Sequence, residues 1–94
     1  MRLSGLARFL ARNVLGGKTF DEATWTDAVA YLERAVAIEP HRIVHQLELA
    51  SIYADIGNTS KARETYQAAL KLKQVEYNDP YYLQQAEREL RELP

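Results

Sequence analysis

The chain has 94 residues, 47% hydrophobic and 27% charged, with a formal net charge of −1. That is one small domain, too apolar for a disordered segment and lacking the basic excess of a nucleic-acid binder. It has no cysteine, which excludes a disulfide scaffold and thiol chemistry, and no apolar run reaches the ~20 residues of a membrane helix.

Hydrophobic periodicity predicts an all-α chain of five helices, over about 3–15, 24–38, 42–56, 59–73 and 80–93. In the first, Leu3, Leu6, Ala7, Leu10 and Val14 form one stripe, with Arg8 and Arg12 a turn apart beside it. Gly16 and Gly17 end it. Residues 16–23 read as an enlarged turn carrying Phe20. Thr24 then reads as an N-cap, with Asp27 three places on. Phe20 and Trp25 either fold back over the turn, the commoner fate of large aromatics, or form a binding edge. Ala28, Leu32 and Ala35 mark the inner face of the second helix, and Pro40 stops it.

Ile43, Leu47, Ala50 and Ala54 run down one side of the third helix, and Leu49, Ile52, Tyr53 and Ile56 down another. A helix apolar on two sides is predicted to be sandwiched. Gly57 supplies the left-handed residue that ends such a helix, with Asn58 and Thr59 as N-caps for the next. Along the fourth helix Ala62 and Ala69 leave room for a close neighbour, Tyr66 fills the space between them, and Leu70 extends the stripe. After the loop QVEYND, Asp79 and Pro80 read as the N-cap and first-turn proline of the last helix. Leu83, Ala86, Leu90 and Leu93 give that helix one narrow apolar side. Its Gln, Glu and Arg residues are expected to face water, as a terminal cap requires.

The order Leu-Ala-x-x-Tyr, Gly, Ala-x-x-x-Tyr-x-x-Ala is carried by Leu49, Ala50, Tyr53, Gly57, Ala62, Tyr66 and Ala69. It resembles the tetratricopeptide repeat, a helix-turn-helix unit of ~34 residues. Ala50 replaces the family's usual glycine, Gln46 its tryptophan and Gln74 its closing proline. Ala28, Leu32, Ala35 and Pro40 precede Ala62, Tyr66, Ala69 and Gln74 by 34 positions, whereas LARFLA (6–11) precedes LASIYA (49–54) by 43. The excess falls in the 16–23 turn. The resemblance implies a single domain over 1–94: a first repeat over about 2–42, a second over 43–76 and a capping helix over 79–94. The long first turn and the DPYY tail (79–82) also look like the terminal repeats of regulator-of-microtubule-dynamics-like proteins, which supports these boundaries.

Such repeats, the resemblance implies, are non-enzymatic platforms for other proteins, and the groove is lined by the first helix of each pair. Carried onto this chain, the groove positions are Ser4, Arg8 and Arg12, then Leu47, Glu48, Ser51 and Asp55. In the subgroup that clamps a chaperone's C-terminal carboxylate, Ser4, Arg8 and Glu48 stand where Lys, Asn and Asn are wanted. Glu48 would repel the carboxylate, so that partner is not expected.

Reactive chemistry finds little footing. His41, His45 and Glu48 share a helical spacing and are metal-ligand types, but no fourth ligand accompanies them. Ser4, Ser51 and Ser60 have no suitably spaced histidine, and there is no glycine-rich phosphate loop. No catalytic, cofactor-binding or metal residue is expected. Tyr77, Tyr81 and Tyr82 around the last loop serve either as contacts or as packing onto Leu70.

A stacked array normally wants about three repeats. Here Leu3, Leu6 and Phe9 begin the chain without a polar cap. Residues 1–20 carry +4 and residues 75–94 carry −3. Together these point to a cytoplasmic protein-interaction module that self-associates as a homodimer, by docking or by exchange of its first helix. The rival expectation is a regulatory or targeting subunit whose Arg-rich first helix is an address or membrane-surface element. Arg2, Arg8, Arg12 and Lys18 precede any acid, as they would in a transit peptide.

Overall fold

The computed structural model of the chain describes residues 22–94. The helix expected at 3–15, most of the 16–23 turn, Phe20, and the site residues Leu3, Ser4, Leu6, Arg8, Phe9 and Arg12 lie outside the described residues. Within them the chain is all-α: α1 (Glu22–Ile38), α2 (Ile43–Asp55), α3 (Thr59–Leu70) and α4 (Asp79–Arg91), with no strand among the described residues. α2 packs against α1, α3 and α4, and α3 also packs against α4.

α1 begins earlier than the sequence suggests. Glu22 and Ala23 are already helical, so Thr24 lies inside the first turn and is not the N-cap. Both preceding residues favour helix, and an acid in the first turn suits the positive end of the helix dipole. Trp25 and Leu32 are buried, and Ala28, Val29 and Val36 pack partly against the core. Trp25 thus belongs to the core, and most of the turn it was expected to cover lies outside the described residues. At the other end Glu39 N donates to Ala35 O and Arg42 N to Glu39 O, closing the turn around Pro40, whose ring nitrogen has no proton to continue a helix.

α2 is the central helix. Ile43, Leu47, Leu49, Ala50, Ile52 and Tyr53 are all buried, on more than one side, as the double apolar stripe predicts. Its end is set by Gly57, whose φ of +85° is the left-handed conformation. Gly57 N donates to Ala54 O at 3.1 Å and Asn58 N to Tyr53 O at 2.8 Å, the paired bonds of a Schellman stop. Asn58 then caps α3, its side-chain oxygen accepting from Lys61 N at 3.3 Å.

Ala62, Tyr66 and Ala69 have no exposed surface at all, as side chains at a helix contact should. α3 stops at Leu70, before the expected 73: Lys71 N and Leu72 N fold back to Ala68 O and Ala69 O in tight terminal bonds. The loop after it is gathered by Asp79. That residue is not the N-cap of α4, a position held by Asn78. Asp79 lies buried in the first turn instead, and its carboxylate accepts from Val75 N and Glu76 N, both at 2.7 Å. Two backbone donors that a loop would otherwise strand are satisfied by one carboxylate.

Candidate partner-binding surface

Of the four groove positions expected on α2, the structure leaves only Glu48 within reach of solvent. Leu47, Ser51 and Asp55 are buried, and their assignment to an open groove is corrected. The reason is the central place of α2, which has neighbours on several sides. The Ser51 hydroxyl donates to Glu89 Oε1 at 2.7 Å, Tyr66 donates to the same oxygen at 2.6 Å, and Gln85 donates to Oε2 at 2.7 Å. Glu89 is therefore a buried fastening point between α4, α2 and α3, and the expectation that all the polar residues of α4 face water fails there. Burial pushes the Glu48 carboxyl above its ordinary 4.5, with His45 and Arg42 acting the other way.

The helix-pair signature falls where close packing needs it. Leu49, Ala50, Tyr53, Ala62, Tyr66, Ala69 and Leu32 are buried, Ala28 and Ala35 are half-buried, and Gly57 and Pro40 sit exposed at turns. The Tyr53 hydroxyl donates to Glu33 of α1. Burial, reinforced by that carboxylate, pushes the Tyr53 phenol up to about 12. Lys61 lies 5.4 Å from the centre of the same ring.

A surface that sequence reasoning missed lies where the 39–42 turn meets the 71–78 loop. Arg42 grips Glu76 with two parallel bonds, Nε to Oε1 at 2.7 Å and Nη2 to Oε2 at 2.9 Å. This bidentate geometry is the strong form of the pair. It holds Arg42 more firmly protonated and keeps the Glu76 carboxyl below its usual range. Glu39 lies 3.5 Å from Arg42 Nη1. His45 Nε2 sits 3.4 Å from Arg42 Nη1 and 3.3 Å from Glu39 Oε1, so it can accept from the first or donate to the second. Beside this cluster a groove of about 290 Å³ is walled by Tyr31, Arg34, Ala35 and Ile38 of α1. Tyr31 and Ile38 are 69% and 72% exposed, unusual for such large apolar groups. The available signal was the placing of Arg42 and Glu76, opposite charges 34 positions apart.

The three loop tyrosines divide. Tyr82 packs partly on the core with Tyr81 edge-on at 5.8 Å, whereas Tyr77 is 98% exposed. His41 is exposed, apart from His45 and Glu48, which are half-buried. Among the described residues no three His, Cys, Asp or Glu side chains gather as a metal ion would require. No helix among the described residues is long and apolar enough to cross a membrane.

Four helices among the described residues, the second and third joined by a tight glycine turn and the fourth fastened to both through Glu89, define an all-α protein. The family model described as regulator of microtubule dynamics protein 1-3 matches residues 1–94, and the chain belongs to that family. No curated protein and no solved structure matches it.

Proposed function

We propose that the chain is a non-enzymatic protein–protein interaction module of tetratricopeptide type. In this reading it acts by contact in the process its family is named for, the regulation of microtubule dynamics. The observation that carries the reading is the α2–α3 pair, with Ala62, Tyr66 and Ala69 wholly buried after a left-handed Gly57. Stacked pairs of this kind generate extended surfaces, and surfaces are how such arrays act. The layout of the proposal is two repeats, over about 2–42 and 43–76, and a capping helix over 79–94. Self-association as a homodimer through the Leu3, Leu6 and Phe9 end belongs to it, supported by the +4 of residues 1–20 against the −3 of residues 75–94.

The test is purified chain added to dynamic microtubules grown from purified tubulin and followed by fluorescence microscopy. A dose-dependent change in growth speed or catastrophe frequency is expected. Unchanged dynamics, together with no co-sedimentation with microtubules, would sink the reading. Sedimentation velocity at micromolar concentration checks the dimer independently, and a monomer throughout removes that part alone.

A further inference from the structure

We infer that the connection end of the stack, where the 39–42 turn meets the 71–78 loop, is the docking face of this module, and that its occupant is an acidic peptide segment bearing an apolar side chain. The inference rests on the reading of the chain as an interaction module and names its working surface.

Three observations converge there. The face is built in advance: Arg42 and Glu76 join the two connections by a bidentate pair, and the Asp79 carboxylate holds the backbone of Val75 and Glu76. A face ordered before binding loses less entropy when a partner arrives. It is also apolar where apolar groups are normally withdrawn. Tyr31, Ile38, Val75 and Tyr77 all stand largely in solvent, and Tyr31 and Ile38 flank the groove beside Arg42. Single exposed apolar residues need no explanation, but two walling one groove, next to a loop that presents two more, mark a contact site.

Charge then selects the occupant. Arg34, Lys71 and Lys73 are exposed, and among the described residues none of them pairs with a carboxylate. The charge of Arg42 is already met by Glu76 and Glu39. Residues 22–94 contain eight bases and twelve acids, so an unpaired Arg34 in the groove wall, with two unpaired lysines in the loop that Glu76 ties to Arg42, runs against the average. Carboxylates of a peptide can reach these cations while an apolar side chain enters between Tyr31 and Ile38. A flat anionic bilayer fits less well, because Glu39 and Glu76 stand against Arg42 at this face and the surface between Tyr31 and Ile38 is recessed.

The probe is a short fluorescein-labelled peptide of glutamates with one leucine and one phenylalanine, titrated with the full chain by fluorescence anisotropy. Binding that weakens as salt rises is expected. The triple variant Arg34→Glu, Lys71→Glu, Lys73→Glu should bind about tenfold more weakly or worse, with unchanged helical circular dichroism. Ile38→Ala should weaken binding as well, whereas Lys61→Glu with Arg63→Glu, at the Gly57 end, should leave it as it was. No binding by the parent, equal binding by the triple variant, or equal loss at the Gly57 end overturns the inference. So does binding to phosphatidylserine vesicles that the peptide fails to compete away. A triple variant that loses the peptide yet still alters microtubule dynamics refutes this docking face and leaves the proposed function standing. Charge-dependent peptide binding by a chain inert toward microtubules does the reverse.

Discussion

α2 meets its two later neighbours by different means. Toward α3 the contact is made of Ala62, Tyr66 and Ala69, small side chains alternating with one large ring, all fully buried. Toward α4 the contact turns on a carboxylate, Glu89, held by Ser51 from α2, Tyr66 from α3 and Gln85 from its own helix. The first seam asks only for proximity and the right volumes. The second must satisfy a charge taken out of water, which is tolerable because three donors converge on it. One seam should therefore be sensitive to added bulk and the other to a lost acceptor.

The largest effect is expected at the polar seam. Glu89→Leu removes the shared acceptor of the buried Ser51 and Tyr66 hydroxyls, at ~1–3 kcal/mol for each bond lost without replacement. About 3 kcal/mol in urea denaturation is expected, since the two hydroxyls lie 3.4 Å apart and can partly satisfy each other. Glu87→Leu, at an exposed position on the same helix, should stay within about 0.5 kcal/mol. Equal effects from the two would show that Glu89 does no more than a surface acid. Next comes the apolar seam, where Ala69→Leu should cost about 1–3 kcal/mol by overpacking a site with no free surface. A thermal melt matching the parent would mean that α2 and α3 do not approach as closely as the alanines permit.

At the turn joining that seam, Gly57→Val should cost at least ~1 kcal/mol. A Cβ on Gly57 would meet nothing within 4 Å, so the penalty is backbone strain at φ +85° and a crowding explanation is excluded. Gly57→Ala should show most of the same loss, and a neutral Ala variant would contradict a left-handed stop.

The smallest effect belongs to the contact of α1 with α2. Tyr53 is raised from its ordinary 10.0 to about 12 by burial and by Glu33. The folded state therefore holds this proton more tightly than the unfolded state does. Its contribution is fully present below pH 10.0 and is lost as pH rises through about 12. Ultraviolet titration should find a late tyrosine ionisation that is absent in Tyr53→Phe and shifted downward in Glu33→Gln. If Tyr53 ionises at its ordinary 10.0, the α1–α2 contact is looser than described.

How far each region was legible follows from the same contrast. Gly57, Ala62, Tyr66 and Ala69 announce themselves because side-chain size and backbone freedom are local properties that recur at helical spacing. Glu89 reads as a solvated residue of the last helix, Asp79 as its N-cap, and nothing singles out Arg42, because a charge is normally solvated and its partner cannot be found from spacing alone. The repeat resemblance carries Leu47, Ser51 and Asp55 into a groove, on a helix that has neighbours on several sides. Tyr31 and Ile38 draw no attention in the sequence, because exposure of an apolar side chain depends on which face of its helix finds a neighbour.

By itself the sequence determined the all-α class, the boundaries of four helices to within a few residues, and the close approach of α2 to α3. These depend on periodicity, on alanine volume and on the conformational freedom of one glycine, all encoded within a few turns of chain. Only the tertiary structure decided which polar groups are buried and which connections share an end, as in Ser51 and Tyr66 on Glu89 and Arg42 on Glu76. Those partners lie between 23 and 38 positions apart, and a hydrogen bond depends on where two helices come to rest in space.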